Sequence, residues 1–95
     1  MMPRPPSLDE VFRALADPTR RRIIEQLKSG PASTSTLAAK SNMALPSFLQ
    51  HLATLEVCGL VRSMKLGRIR MYRLLPKPLG QARSWLARQR KGALS

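Results

Sequence analysis

Side chains capable of catalysis or metal binding are few in this chain and lie far apart along it. One cysteine, one histidine and five acidic residues supply all of its thiol, imidazole and carboxylate side chains. Neither a glycine-rich phosphate loop nor a nucleophile elbow accompanies them. The sequence therefore predicts no catalytic residues, no cofactor and no enzyme activity.

The abundant chemical groups are cationic. Seventeen Lys and Arg residues against five Asp and Glu give a formal net charge of +12, and the pI is near 11.7. An excess of this size favours a polyanionic partner, either nucleic acid or an anionic membrane. No segment approaches the ~20 apolar residues that a membrane span needs. We therefore expect nucleic acid, and no membrane, as the partner.

Residues 43–55 combine an apolar stripe with an uncharged polar face. Phe48, Leu52 and Leu55 recur at helical spacing and predict the buried side of a helix. The opposite arc is small and uncharged, and it holds Pro46, Ser47, Gln50, Ala53 and Thr54. Such a face can enter the major groove of DNA, where amide and hydroxyl groups read base edges. The alternative is an ordinary solvated helix face.

A short helix and a tight turn precede this segment. Residues 37–40 are predicted to be helical, and Ser41-Asn42 is the predicted turn. We expect Asn42 to use a left-handed backbone to end one helix and redirect the chain, because Asn tolerates that conformation better than most residues. Helix, turn and helix with an uncharged outer face is the helix-turn-helix pattern.

A strongly basic hairpin follows the second of these helices. Residues 61–66 and 69–74 read as strands joined at Gly67-Arg68, a glycine turn typical of β-hairpins. Its cations are Arg62, Lys65, Arg68, Arg70 and Arg73. Edge strands often carry such charges only as protection against aggregation, but this density exceeds that need. A charged hairpin after a helix-turn-helix predicts a wing.

Capping signals place the remaining helices. Ser7 precedes Glu10 at capping-box spacing, and Asp17 precedes a proline that suits the first turn of a second helix. Ser33 is the predicted N-cap of a third helix, and a last helix begins near Leu79. The predicted fold is therefore mainly α (α+β), a winged helix-turn-helix with about five helices and a two-stranded hairpin.

The length allows one domain with a small core. We expect a disordered leader at 1–6, the winged domain at 7–91 and a frayed tail at 92–95. The proline-rich start has no apolar stretch typical of a secretory signal. A single cysteine excludes an internal disulfide framework and fits the cytoplasm, the expected location.

Apolar stripes on the first and last helices predict self-association. The stripes comprise Leu8, Val11, Phe12, Leu15, Leu79, Ala82, Trp85 and Leu86. The middle of the chain already supplies a compact core, so exposing Trp85 near a terminus would be costly. A homodimer would bury these stripes and double the number of DNA-reading helices.

Three segments together carry a family resemblance. Residues 12–21 read FRALADPTRR, residues 50–56 read QHLATLE before a Gly-Leu-Val turn, and residues 67–74 read GRIRMYRL. In this order and spacing they resemble the opening, the recognition helix and the wing of the arsenic-repressor (ArsR/SmtB) family of bacterial regulators. The resemblance runs from about Leu8 to Leu86. It implies a dimeric winged-helix repressor that binds an operator in double-stranded DNA.

The chain departs from that family where its metal sensors bind their ions. Those sensors carry Cys, His or acidic ligands on the third or the terminal helix, whereas residues 33–41 and 79–91 contain none here. We therefore expect no metal site, and the sequence names no small-molecule inducer. Many members also carry Ser where this chain has Leu49.

The predicted DNA-binding residues come from three segments. They are Arg20, Arg21, Arg22, Pro46, Ser47, Leu49, Gln50, His51, Thr54, Lys65, Arg68 and Arg70. A solvated face, with Glu25 pairing Arg21 or Arg22, would explain the arginine triplet equally well. His51 is expected to be structural or phosphate-contacting rather than a pH sensor, and Cys58 to be a packing residue.

Two other functions remain open from the residues alone. A basic RNA- or ribosome-associated domain would use the same charge, although it would need stacking aromatics and this chain has four aromatic residues, two of them Phe. A winged helix serving only protein–protein interaction is disfavoured by the high positive charge, because interface cores tend to exclude lysine.

Overall fold

The computed structural model describes residues 6–93 of the chain. Most of the predicted leader and the last two residues of the predicted tail lie outside the described residues. The elements in chain order are α1 (Leu8–Leu15), α2 (Pro18–Leu27), β1 (Ala32–Ser33), α3 (Thr34–Ala39), α4 (Leu45–Val57), β2 (Val61–Leu66), β3 (Ile69–Leu74) and α5 (Pro76–Ala93). Five helices and one small sheet make up the fold, which is the composition of a winged helix-turn-helix domain.

The predicted caps of the first three helices are confirmed. The Ser7 hydroxyl accepts the backbone N–H of Glu10 at 3.1 Å, and the Glu10 carboxylate accepts the N–H of Ser7 at 3.3 Å. The carboxylate of Asp17 and the hydroxyl of Ser33 each accept the N–H three residues later, at 3.0 and 3.1 Å. Each cap satisfies a helix N–H that would otherwise lack an intrahelical partner.

A glycine ends α4 and directs the chain into the wing. Gly59 has a φ of +76°, and its N–H donates to the carbonyl of Glu56 at 3.0 Å. The next N–H, that of Leu60, reaches back to the carbonyl of Leu55 at 2.9 Å, which completes a Schellman-type cap. A Cβ at position 59 would also lie 2.9 Å from the ring of Pro6. Any other residue here would therefore be strained twice.

The sheet has three strands rather than the predicted two. Both hairpin strands match their predicted bounds, but β1 pairs antiparallel with β3 and gives the order β1-β3-β2. Ala32 lies opposite Tyr72, and Ser33 lies opposite Met71. The sequence did not reveal β1 because two residues are too short to show alternation. This strand ties the start of α3 to the wing.

The turn and the last helix differ in detail from the sequence predictions. No non-glycine residue within 6–93 has a positive φ, so the prediction of a left-handed backbone at Asn42 is wrong. The turn is instead held by the Ser41 hydroxyl, which accepts the N–H of Met43 at 3.0 Å. Helix α5 begins at Pro76 rather than near Leu79, because prolines fit the first turn, where no intrahelical N–H bond is lost.

One hydrophobic core joins all five helices to the base of the wing. Its most deeply buried large side chains are Phe48, Ile23, Leu37, Leu52, Leu55, Leu60, Val11 and Val61. Three of them come from α4, so the helix that carries the uncharged face is also the centre of the core. Among residues 6–93, the helices are too short or too polar to cross a bilayer.

Candidate nucleic-acid interface

Helix α4 presents the predicted arc to solvent. Phe48, Leu52 and Leu55 fix one side of the helix in the core. The exposed side carries Pro46, Ser47, Leu49, Gln50 and Ala53. No acidic or basic group other than the imidazole of His51 lies on α4 before Glu56. The surface can therefore approach base edges without a fixed charge of its own.

Two residues of α4 behave differently from the sequence prediction. The Thr54 hydroxyl donates to the carbonyl of Gln50 at 3.0 Å within the helix, which satisfies its proton without DNA and leaves its oxygen as an acceptor. Leu45, which sequence reasoning did not select, is 53% exposed at the start of the helix. Beside Leu49, at 41% exposure, it adds an apolar rim to the arc.

Arg20 joins three elements instead of pointing into solvent. Its Nε and Nη2 donate to the carbonyls of Ala14 and Arg13 at 2.8 and 2.9 Å. Its Nη1 lies 3.1 Å from Nδ1 of His51. A guanidinium only donates, so Nδ1 must accept and the imidazole proton must reside on Nε2. Arg20 thus satisfies the C-terminus of α1 and positions His51 on α4.

The other two arginines of the triplet differ in whether they are hydrogen-bonded. Nη1 of Arg21 donates to the carbonyl of Leu15 at 2.6 Å, so it also satisfies the open end of α1, where cations are favoured. Arg22 is exposed and makes no ion pair within residues 6–93. Glu25 pairs with Lys28 at 3.1 Å rather than with an arginine of the triplet. Only Arg22 keeps its charge fully available to a ligand.

Asp17 forms the polar junction between α2 and α4. Its carboxylate lies 3.7 Å from Nδ1 of His51 and accepts the backbone N–H of Arg20. Burial raises the pKa of this carboxyl, but the hydrogen bond from Arg20 and nearby positive charge outweigh burial and leave the pKa lowered. The charged form of Asp17 is thus the one that the fold stabilises.

Cations face each other across the wing. On one side of the hairpin Lys65 lies directly opposite Arg70, and on the other side Arg62 lies opposite Arg73. Directly opposed like charges destabilise a strand pair. All four are exposed, and so is Arg68 at the turn. The isolated chain therefore carries like-charge repulsion in the wing, and a polyanionic ligand would relieve that repulsion.

A polar link that the sequence did not reveal joins the wing to α4. The carboxylate of Glu56 accepts the N–H and the hydroxyl of Ser63 at 3.1 and 2.8 Å. Arg70 donates to the same hydroxyl at 3.0 Å. Seven residues separate each pair: the Gly59 turn brings Ser63 to Glu56, and the hairpin turn at Gly67 brings Arg70 to Ser63. This Glu56–Ser63–Arg70 link orients the wing relative to α4.

The predicted self-association surface is only partly available. Val11 and Ala82 are buried in the core of the single chain. Phe12 contacts Trp85 edge to face, with ring centroids 5.7 Å apart. The members left partly or fully exposed are Leu8, Phe12, Leu15, Leu79, Trp85 and Leu86. An exposed aromatic–aliphatic patch therefore runs along α1 and α5, and Val11 and Ala82 of the same two helices lie in the core.

The cysteine is placed for packing. Cys58 is buried, and burial raises the pKa of its thiol, so the nucleophilic thiolate is disfavoured. Across residues 6–93, no group of three His, Cys, Asp or Glu side chains is arranged to hold a metal ion.

Comparison with known proteins links this arrangement to a family. The family model for the bacterial regulatory proteins of the arsR family matches residues 17–63, which span α2 to the start of β2. The HTH-type transcriptional regulator Rv2034 of Mycobacterium tuberculosis is 39% identical over 82 residues, covering 86% of this chain and 77% of that protein. The transcriptional repressor SdpR of Bacillus subtilis is 30% identical, with 83% and 88% coverage.

Solved structures agree with the sequence matches. The crystal structure of an ArsR family transcriptional regulator superposes with a TM-score of 0.86 at 43% identity, covering 93% of this chain and 97% of that one. A second crystal structure, described as a possible transcriptional regulator for arsenical resistance, gives a TM-score of 0.77 at 35% identity, with 90% and 96% coverage. The likeness extends over nearly the whole described chain.

Proposed function

Since the chain belongs to the arsR family of bacterial regulatory proteins, we propose that it is a homodimeric transcriptional repressor that binds a palindromic operator. The observation that carries the proposal is the juxtaposition of an uncharged, core-anchored α4 face with a cationic wing. The first can read base edges, and the second can hold the phosphate backbone. Repression would follow because the bound protein occludes polymerase from the promoter.

Reading is assigned to the exposed arc of α4. The side chains of Ser47 and Gln50 face solvent and make no hydrogen bond within residues 6–93, and a glutamine amide can pair with adenine through two hydrogen bonds. Leu49 is suited to contact with a thymine methyl group. Pro46 brings the backbone close without adding bulk. The three buried residues of the same helix fix the backbone that carries these side chains, so the reading surface is in place before DNA binds.

We assign binding of the phosphate backbone to the wing and the edge of α2. Arg22, Lys65, Arg68 and Arg70 are exposed cations that can neutralise phosphates, and Arg68 at the turn can enter the minor groove. The Nε2–H of His51 can donate to a phosphate because Arg20 occupies Nδ1. We assign Arg20 and Arg21 to positioning, since their donors satisfy the end of α1. The Thr54 oxygen adds an acceptor.

The homodimer is assigned to the patch on α1 and α5. Trp85 and Leu86 are 37% and 52% exposed, and the edge-to-face contact with Phe12 makes a rigid aromatic base for a partner. A two-fold axis through this patch would place two α4 helices for two half-sites.

Affinity measurements test the partner. A duplex selected from a random library should bind at least ~10³-fold tighter than scrambled duplex at the same salt concentration. A structured RNA of equal length is the second competitor, because the RNA-binding alternative uses the same charge. Equal affinity for selected DNA, scrambled DNA and RNA would refute an operator-binding function.

Sedimentation equilibrium tests the dimer. We expect a dimer at micromolar concentration, and Trp85→Ala should cost roughly 3 kcal/mol of association or folding free energy if the indole is an anchor. Leu66→Ala is the control, because it removes another exposed apolar side chain, at the wing tip and outside the patch on α1 and α5. A wild-type chain that stays monomeric at high micromolar concentration would contradict the dimer.

A further inference from the structure

A cleft separates the end of α4 from the start of α5, away from the arc assigned to base reading. Its volume is about 710 Å³, which lies in the range of small-molecule sites. Val57, Val61 and Leu75 supply apolar walls, and Arg62 and Lys77 supply positive charge. Glu56, the first member of the polar link to the wing, completes this α4–α5 cleft.

The two cations of the cleft lack acidic partners. Neither Arg62 nor Lys77 forms an ion pair in the part of the chain that the structure describes. Both cations are exposed, and a carboxylate can neutralise them through charge-assisted hydrogen bonds, whereas a neutral ligand leaves their charge uncompensated. The apolar walls favour a ligand whose remainder is hydrocarbon. The cations and the apolar walls together fit a ligand that combines a carboxylate with an apolar body.

We propose that the α4–α5 cleft binds a small carboxylate with an apolar body, and that this ligand weakens operator binding. The second half of the proposal rests on the proposed repressor function. The carboxylate is held by Arg62 and Lys77 beside the carboxylate of Glu56. The apolar body lies against Val57, Val61 and Leu75.

The polar link carries the effect from the cleft to the wing. Glu56 holds the backbone and hydroxyl of Ser63, and Ser63 in turn accepts a hydrogen bond from Arg70. A ligand anion beside Glu56 repels its carboxylate and destabilises that link. The wing then loses its fixed orientation relative to α4, and the phosphate contacts of Lys65, Arg68 and Arg70 become weaker. By linkage, DNA weakens ligand binding by the same factor.

Calorimetry on the full chain without DNA tests the site. Octanoate is the probe, 1-octanol has its apolar body without the charge, and inorganic phosphate has a charge without the body. We expect octanoate to bind at least about tenfold more tightly than either control. Octanol binding as tightly as octanoate, or no octanoate binding at all, would overturn the site.

Matched variants locate the binding. Arg62→Gln combined with Lys77→Gln should lower octanoate affinity at least about tenfold. Arg73→Gln is the control, because Arg73 lies opposite Arg62 across the strands but outside the cleft, and it should change affinity less than about twofold. Gln81→Trp, which fills the cleft from α5 without changing charge, should also abolish binding. An equal loss in Arg73→Gln would show only non-specific charge attraction and overturn the site.

DNA competition tests the coupling. Octanoate at saturation should weaken binding to the selected duplex, and Glu56→Gln should remove that effect while octanoate still binds. Octanoate binding that leaves wild-type DNA affinity unchanged overturns the coupling. Failure of the repressor function shows differently: the chain then fails to prefer selected duplex even without octanoate, whereas the calorimetric result for the cleft stands independently.

Discussion

Helix α4 and the wing are the two parts of the proposed DNA interface, and they are built differently. Helix α4 buries three of its side chains in the core and leaves an uncharged surface exposed to solvent. The wing contributes the side chains of Val61 and Tyr72 to the core. Its outer half is exposed and cationic. Base reading depends on positions fixed to within a fraction of an ångström, whereas attraction to phosphates falls off slowly with distance.

Different interactions hold the two regions in the domain. Hydrophobic contacts anchor α4, while the Glu56–Ser63–Arg70 link, a chain of exposed hydrogen bonds, orients the wing. Exposed polar links are individually weak and easily displaced. The wing is therefore the part of the interface that a ligand or a mutation can adjust without unfolding the domain.

Core truncation should produce the largest difference between the two regions. Leu52→Ala removes a side chain with no exposed area from α4, and it should lower the free energy of unfolding by about 2–5 kcal/mol. Leu66→Ala at the wing tip, where the side chain is 56% exposed, should change it by less than about 0.5 kcal/mol. Urea denaturation measures both. Equal costs would mean that the wing tip is packed as firmly as α4.

Base reading should give the next largest effect, confined to one class of DNA. Gln50→Ala should weaken binding to the selected duplex by roughly 1–3 kcal/mol and leave scrambled duplex nearly unchanged. Gln81→Ala on α5 is the control for loss of a glutamine outside the arc. If Gln50→Ala weakens both duplexes equally, α4 does not read sequence, and the contrast with the wing disappears.

The junction that fixes α4 against α2 should show a pH-dependent cost. The lowered pKa of Asp17 means that its charged form stabilises the fold above the ordinary carboxyl value of about 3.9, and this contribution is lost as pH falls through the folded-state value. Asp17→Ala should therefore cost about 0.5–2 kcal/mol at neutral pH and less in acid. Asp17→Asn keeps a capping oxygen and should lose only the pH-dependent part. A cost in Asp17→Ala that is constant from neutral to acid pH would argue against the charged cap.

The elements whose signals are local could be predicted from the sequence. Ser7, Asp17 and Ser33 cap helices through residues three positions away, and the glycine turn between the two wing strands marks where one ends and the next begins. The apolar spacing of α4 likewise identified its buried side. In each case the determining contacts lie within one turn of helix or one hairpin.

Features that depend on tertiary contacts could not be predicted. Strand β1 exists only because β3 runs beside it, and Arg20 leaves the solvated face because the end of α1 and His51 lie within reach. The Glu56–Ser63 pair forms only after Gly59 turns the chain. Side chains of these types usually lie in water, so their types alone carried no signal of these contacts.

The smallest effect should come from one wing cation, and it should be visible in the salt dependence. Arg68 lies exposed at the hairpin turn, and its side chain makes no hydrogen bond or ion pair within residues 6–93. Arg68→Gln should weaken selected and scrambled duplex alike and lower the slope of log affinity against log salt by about one, because each neutralised phosphate releases about one counterion. Arg83→Gln on α5 is the control and should leave the slope unchanged, since that helix is assigned to the dimer. A slope that Arg68→Gln does not alter would mean that Arg68 neutralises no phosphate, and a loss restricted to the selected duplex would mean that the wing tip reads sequence. Either result would contradict the division between a reading helix and a phosphate-binding wing.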